Sequence, residues 1–279
     1  MLRLEHKQTV TDLKKKKKNG EKISSVTAYD YPTAKVASDA GMDLILVGDS
    51  LGMVLHHQSN TMHVTIEEMI YHTRLVNAAE PISLVATDMP FGSYHVSPQQ
   101  GLENAIRLVK EGGAEAVKLE GGRTRFEVIQ AIVNADIPVI GHLGLTPQSI
   151  HSLGGFKMQG KRKEKADEII EDAIELEKLG VFAIVLESIP SELAQRVTQA
   201  ISIPTIGIGA GKYCDGQILV FHDLLGFTGG YLPKFVRKYA DVYGVIQSAL
   251  QNYIADIRSG AFPGDEESVS LKTTKKGEA

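Results

Sequence analysis

A chain of 279 residues, 43% hydrophobic and 23% charged, has ordinary globular composition and enough length for one α/β barrel or two smaller domains. Its formal charge of -4 and pI near 6.2 exclude a global basic field able to hold nucleic acid or an anionic membrane. The single cysteine, Cys214, excludes an internal disulfide, and no apolar run approaches the ~18 residues of a membrane span, so the expectation is a cytoplasmic protein.

In chain order, Thr9 to Asp12 can cap a short helix that carries Lys14 to Lys18. Five adjacent lysines spread around such a helix read as a solvated face, with a polyanion contact as the alternative. Residues 23–29 read as a first strand, 31–40 as a helix ended by Gly41, and 44–47 as a second strand leading into GDSLG. A His-rich loop, His56 to His63, precedes a helix capped at Thr65 with Glu68 in its first turn. Its histidines read as an exposed loop or lid before they read as metal ligands.

Strands follow at 82–87, 117–119, 139–143, 183–186, 205–208 and 218–221, separated by helical segments at 98–111, 123–134, 166–179 and 191–200. A last helix runs over 233–259. This alternation predicts a single (β/α)8 TIM barrel in residues 1–262, with an N-terminal helical extension and a polar tail over 263–279. A doubly wound sheet is the alternative.

The acids carry the functional argument. Asp49 closes LILVGD, Asp88 closes SLVATD, Glu120 closes AVKLE and Glu187 closes AIVLE, and in a parallel barrel all strand ends meet at one face. Side chains two apart share a face, so Lys118 and Glu120 point the same way, and a Lys and Glu pair belongs in the pocket rather than under the helices. Singly, Asp49 and Asp88 could shape turns, Lys118 with Glu120 could be a structural ion pair, and Glu187 could cap a helix.

Carboxylates without a cysteine cluster or HExxH point to a hard divalent ion, Mg²⁺ first. A 2-oxo acid could fill adjacent coordination positions and present its carbonyl to a Lewis acid. His142 shares a face with Ile140, as a pocket donor or as a satisfied core histidine. GIGAG, residues 207–211, serves either a phosphate or a tight turn.

GDSLGMVLHH, ATDMPFGSY, AVKLEGG, GHLGLTPQS and LES together resemble the ketopantoate hydroxymethyltransferase family, from about Thr27 to Tyr239. The resemblance implies a barrel of the phosphoenolpyruvate/pyruvate superfamily type, usually a homodecamer. It implies hydroxymethyl transfer from 5,10-methylenetetrahydrofolate to 3-methyl-2-oxobutanoate, giving 2-dehydropantoate in pantothenate biosynthesis. Residue by residue, Asp49, Asp88 and Glu120 resemble the Mg²⁺ site, with Glu120 bound directly or through water. Asp49, Ser50, Asp88 and Lys118 resemble the substrate contacts, and Glu187 the catalytic base. Two rival classes share such a pocket: a lyase or Schiff-base aldolase with Lys118 as nucleophile, and a non-catalytic binding protein that keeps metal affinity alone.

Overall fold

Eight short strands cannot be joined by hairpins if they run parallel, so each return requires a crossover, and helices supply most of them. The computed structural model describes residues 6–228 and 232–270. The order is α1 Val10–Asn19, β1 Ile23–Thr27, α2 Tyr31–Asp39, β2 Leu44–Val47, α3 Leu51–Val54, α4 Ile66–Asn77, β3 Leu84–Asp88 and α5 Pro98–Arg107. It continues with β4 Ala116–Glu120, α6 Phe126–Val133, β5 Val139–Gly144, α7 Ile150–Leu153, α8 Lys163–Lys178, β6 Ala183–Glu187, α9 Ser191–Ala200, β7 Thr205–Ile208, β8 Gly216–Leu219, α10 Phe221–Leu225 and α11 Val242–Ser259. The strands close into a barrel in sequence order, with β8 pairing back onto β1.

Alternation sorts each strand into two faces. Leu44, Leu46, Leu84, Ala86, Ala116, Ile140, Ala183, Val185, Ile206 and Ile218 form one buried cluster. Continuing the same parity toward the strand ends reaches Asp88, Lys118, Glu120, His142 and Glu187. The barrel interior therefore changes from aliphatic at its amino end to charged at its carboxyl end.

α1 stops the amino end. Its capping box is complete, with the Thr9 hydroxyl accepting from the Asp12 amide and the Asp12 carboxylate accepting from the Thr9 amide. Leu13 is 0% exposed and joins the interior cluster. Lys16 pairs with Asp43 at 3.0 Å, while Lys17 pairs with Asp215 at 2.9 Å and donates to the carbonyls of Thr198 and Ile203. The lysine run is thus a solvated face only at Lys14, Lys15 and Lys18; the two lysines between them anchor the plug.

Several element boundaries differ from the sequence expectation, and two of them have a clear cause in the pairing. β8 begins at Gly216, because Gly216 and Gln217, not the apolar run after them, pair with Ile23 and Ser24. α11 begins at Val242 rather than near 233, because the backbone before it bonds elsewhere: the Tyr239 amide donates to the Leu224 carbonyl and the Tyr243 amide to that of Gly226.

By contacts the barrel unit comprises 6–221 with 233–236, and a second unit comprises 222–228, 232 and 237–270, which includes α11. Residues 263–270 carry no regular element, and the rest of the expected tail, 271–279, lies outside the described residues. Among the described residues no helix is long and apolar enough to cross a membrane.

Leu13→Ala should lower the unfolding free energy in denaturant titration by about 2–5 kcal/mol, the usual loss when a buried leucine is truncated. Lys15→Gln on the exposed side of the same helix should stay within about 0.5 kcal/mol.

Candidate active site

The carboxyl ends of β2 to β6 bring the expected residues together. Strand register places Asp88 beside Lys118, and Glu120 beside His142. Lys118 Nζ lies 2.9 Å from Asp88 Oδ1, with both side chains almost fully buried. His142 stands between two carboxylates, Nδ1 at 3.4 Å from Glu120 Oε1 and Nε2 at 3.2 Å from Glu187 Oε2. It is therefore both buried and in the pocket. The Glu187 side chain keeps 16% exposure, which leaves this acid the best placed of the four to meet a substrate entering from the open end.

Asp49 follows the last paired residues of β2 and turns inward through its own backbone, the Asp49 amide donating to Asp88 Oδ2 at 3.0 Å. Ser50 sits at the start of α3, its hydroxyl 2.9 Å from that of Tyr29, which accepts from Thr27 Oγ1 at 2.9 Å. Ser50 is thereby held in a hydroxyl chain at the rim. The turn after β5 passes so close to β6 that a Cβ on Gly144, at φ 97°, would stand 2.3 Å from the Glu187 carbonyl oxygen.

The electrostatics are those of crowded acids. Burial, then the charges of Asp88 and Glu120, lift the Asp49 carboxyl well above the usual range. Burial also works against a charged Glu120, but His142, Lys118 and the Gln148 amide outweigh it and hold this carboxyl below its ordinary value. For Lys118, burial is overcome by Asp88, Glu120 and Asp49, so the ammonium is held above the ordinary lysine range. His142 is opposed by burial and by Lys118, yet Glu120 and Glu187 raise it to about 9. At neutral pH the ring is then an imidazolium within 3.4 Å of Glu120 and 3.2 Å of Glu187, although Nε2 makes no aligned hydrogen bond. The 3.3 Å approach of Lys118 Nζ to Nδ1 is a contact between cations, compensated by the carboxylates around them.

Four carboxyl groups thus face one lysine and one imidazolium, an excess of acids that a divalent cation would offset. The donor set is oxygen only in Asp49 and Asp88, the preference of Mg²⁺. Asp88 Oδ1 is buried and has no aligned hydrogen bond. Among the described residues no three His, Cys, Asp or Glu side chains are arranged as a complete cage. Two buried carboxyl groups fit a cation that would take its remaining oxygens from substrate and water. Glu120 is engaged instead by the Gln148 amide at 2.9 Å and by His142.

Gln148 and Tyr94 are the residues that sequence reasoning left without a role. The Gln148 side chain donates to Asp49 Oδ2 at 2.8 Å and accepts from the Tyr94 hydroxyl at 2.6 Å. Neither titrates near neutrality, so neither attracts a search for acids and bases; only a position just beyond a strand end marks them.

Other candidates lie outside this ring. His56, His57 and His63 are exposed on the loop between α3 and α4. In GIGAG, Gly209 takes φ 62° with the Phe235 ring where its Cβ would be, which favours the tight-turn reading. Cys214 is buried and its thiol pushed up to about 11 by burial, which leaves it inert.

Buried acids around one lysine at the carboxyl end of a closed parallel barrel define a (β/α)8-barrel enzyme. The family model for ketopantoate hydroxymethyltransferase matches residues 7–265. The chain is 54% identical over 269 residues to the 3-methyl-2-oxobutanoate hydroxymethyltransferase of Thermoanaerobacter sp. (strain X514), covering 96% of this chain and 98% of that one. It is 52% identical over 269 residues to the enzyme of the same name from Clostridioides difficile (strain 630), with the same coverage. Its fold is similar to the crystal structure of 2,3-dimethylmalate lyase, a PEP mutase/isocitrate lyase superfamily member, with TM-score 0.58, 17% identity and coverage of 95% and 91%. The chain belongs to the ketopantoate hydroxymethyltransferase family and is a one-carbon hydroxymethyl transferase.

In the metal-free protein, an NMR titration should find His142 holding its second proton to about pH 9. Because this value lies above the ordinary 6.5, the proton stabilises the fold fully below about pH 6.5, and the contribution is lost as pH rises through about 9. A midpoint at or below 6.5 would contradict the assignment.

Proposed function

We propose that the protein transfers a hydroxymethyl group from 5,10-methylenetetrahydrofolate to 3-methyl-2-oxobutanoate, forming 2-dehydropantoate on the route to pantothenate. The observation that carries this reading is the Asp88–Lys118 pair flanked by Asp49 and Glu120, with Glu187 alone among the acids at partial exposure. Asp49 and Asp88 would hold a Mg²⁺ ion, with Glu120 as the third site carboxylate, directly or through water. When bound, the ion supplies Lewis-acid polarisation of the keto carbonyl.

The chain's own groups do the rest. Lys118, held as ammonium by its carboxylates, stabilises negative charge as it develops on the keto oxygen. Ser50 and Asp88 orient the 2-oxo acid. Glu187 removes the C3 proton, its carboxylate lying 3.2 Å from His142 Nε2 at the partly exposed edge of the ring of acids. The C3 carbanion equivalent then bonds to the methylene carbon of the folate iminium. The proton taken by Glu187 goes to the folate nitrogen freed when the methylene bridge opens to the iminium; water then replaces the second folate nitrogen on the methylene carbon, its oxygen becoming the hydroxyl and one of its protons going to that nitrogen.

The aldolase alternative asks for a lysine that is easily deprotonated. A lysine paired at 2.9 Å and raised in pKa is the reverse of that, so Lys118 serves here as an electrostatic group. A homo-oligomer, expected as a decamer from the family resemblance, is supported by α11, whose Tyr243, Ile246, Leu250, Ile254 and Ile257 form an exposed apolar stripe at helical spacing. A cytoplasmic location goes with this pathway assignment.

Glu187→Gln should bind Mg²⁺ and 3-methyl-2-oxobutanoate with near wild-type affinity by calorimetry while losing roughly 100-fold or more in turnover, the scale of a lost general base. Asp88→Asn should weaken both the binding and the rate. Equal loss of binding in the Glu187 variant would remove it from the role of base.

A further inference from the structure

Gln148 is the meeting point of three strand ends. Its backbone amide donates to Glu120 Oε2 at 2.9 Å, and its side-chain Nε2 donates both to Asp49 Oδ2 at 2.8 Å and to the Met89 carbonyl at 3.0 Å. Its Oε1 accepts from the Tyr94 hydroxyl at 2.6 Å, and that hydroxyl oxygen accepts from the Glu120 amide at 3.2 Å. Gln148 is 4% exposed and Tyr94 2%.

The pattern admits one amide orientation. The Tyr94 oxygen already accepts from a backbone N–H, so its own proton goes to Gln148, and the amide oxygen must face it. The NH₂ group is thereby turned toward Asp49 and Met89. Reversed, the amide would set its oxygen against a carboxylate and a carbonyl, leaving three buried acceptors facing one another.

The chemistry of the donor also has a consequence. Asp49 stands beside Asp88 through its own amide at 3.0 Å, and its carboxyl oxygen is held by Gln148 Nε2 at 2.8 Å. An Arg or Lys at position 148 would hold it too while cancelling the charge that attracts a cation. A neutral amide holds the carboxyl oxygen and adds no positive charge beside it.

We propose that Gln148, oriented by Tyr94, is a positioning residue that sets the placement of Asp49 and Glu120 and through them the affinity of the site for a divalent cation. This rests on the cation reading of the proposed function. Removing a hydrogen-bond partner of a metal ligand commonly weakens metal binding by about 10–100-fold.

Gln148→Met keeps the side-chain length and the backbone bond to Glu120 but removes the amide. Calorimetry with Mg²⁺ and electron paramagnetic resonance with Mn²⁺ should show a Kd weaker by about 10–100-fold. The Mg²⁺ concentration for half-maximal rate should rise in parallel, and saturating Mg²⁺ should recover most of kcat, a split that a packing role would not produce. Tyr94→Phe, which deletes one hydroxyl, should shift Kd in the same direction, and the double variant should fall short of the product of the single effects. Tyr94→Phe carries the test alone if Gln148→Met does not fold.

Cation affinities within twofold of wild type in both variants would overturn the proposal while leaving the proposed function standing. A wild-type protein that binds no divalent cation would contradict the proposed function instead. The positioning claim is then read from the crystal structure of the metal-free Tyr94→Phe protein: displaced Asp49 and Gln148 side chains support it, and unchanged ones overturn it.

Discussion

A lysine buried beside carboxylates must be neutralised within hydrogen-bonding distance, and the site is organised around that requirement. Lys118 meets Asp88 at 2.9 Å, and neither side chain has appreciable access to water. Removing either partner would leave an uncompensated buried charge, which typically costs about 3–5 kcal/mol. The remaining acids cannot all be satisfied by the one ammonium. His142 takes up part of the excess by standing as a cation between Glu120 and Glu187, and Gln148 holds Asp49 without neutralising it. What is left is a concentration of negative charge with open coordination, suited to a hard divalent cation and an oxygen-rich substrate.

The barrel makes this arrangement possible by separating its stability from its chemistry. The same alternation that buries Leu84 and Ala86 next presents Asp88, and the one that buries Ala116 presents Lys118 and Glu120. The aliphatic end is closed by Leu13 on α1 and secured through Lys16 and Lys17. At the open end, Asp88, Lys118, His142 and Glu187 rest on aliphatic packing two residues earlier along the same strands.

The four strand-end acids and the shared face of Lys118 and Glu120 were legible because both follow from local order: a run of apolar residues and a period of two. The closed barrel was legible for the same reason. The anchoring of Lys16 and Lys17 was not, because their partners Asp43 and Asp215 are far away in sequence and meet them only once the barrel closes. Gln148 was hidden by its chemistry, since an amide has no charge or nucleophile to announce it. β8 is marked in the sequence only by its apolar run from Ile218, and Gly216 and Gln217 join it because β1 supplies them with ladder partners. His142 was left between two readings because its meaning depends on which acids face each ring nitrogen.

The central claim is that this ring of charges removes a proton next to a 2-oxo group. The most direct measurement is NMR of deuterium exchange at C3 of 3-methyl-2-oxobutanoate in D₂O with the wild-type protein and Mg²⁺, before any folate is added. Exchange should occur and should stop when the cation is chelated. A folded, Mg²⁺-loaded protein that binds the 2-oxo acid and leaves its C3 proton in place, with folate absent or present, would contradict it.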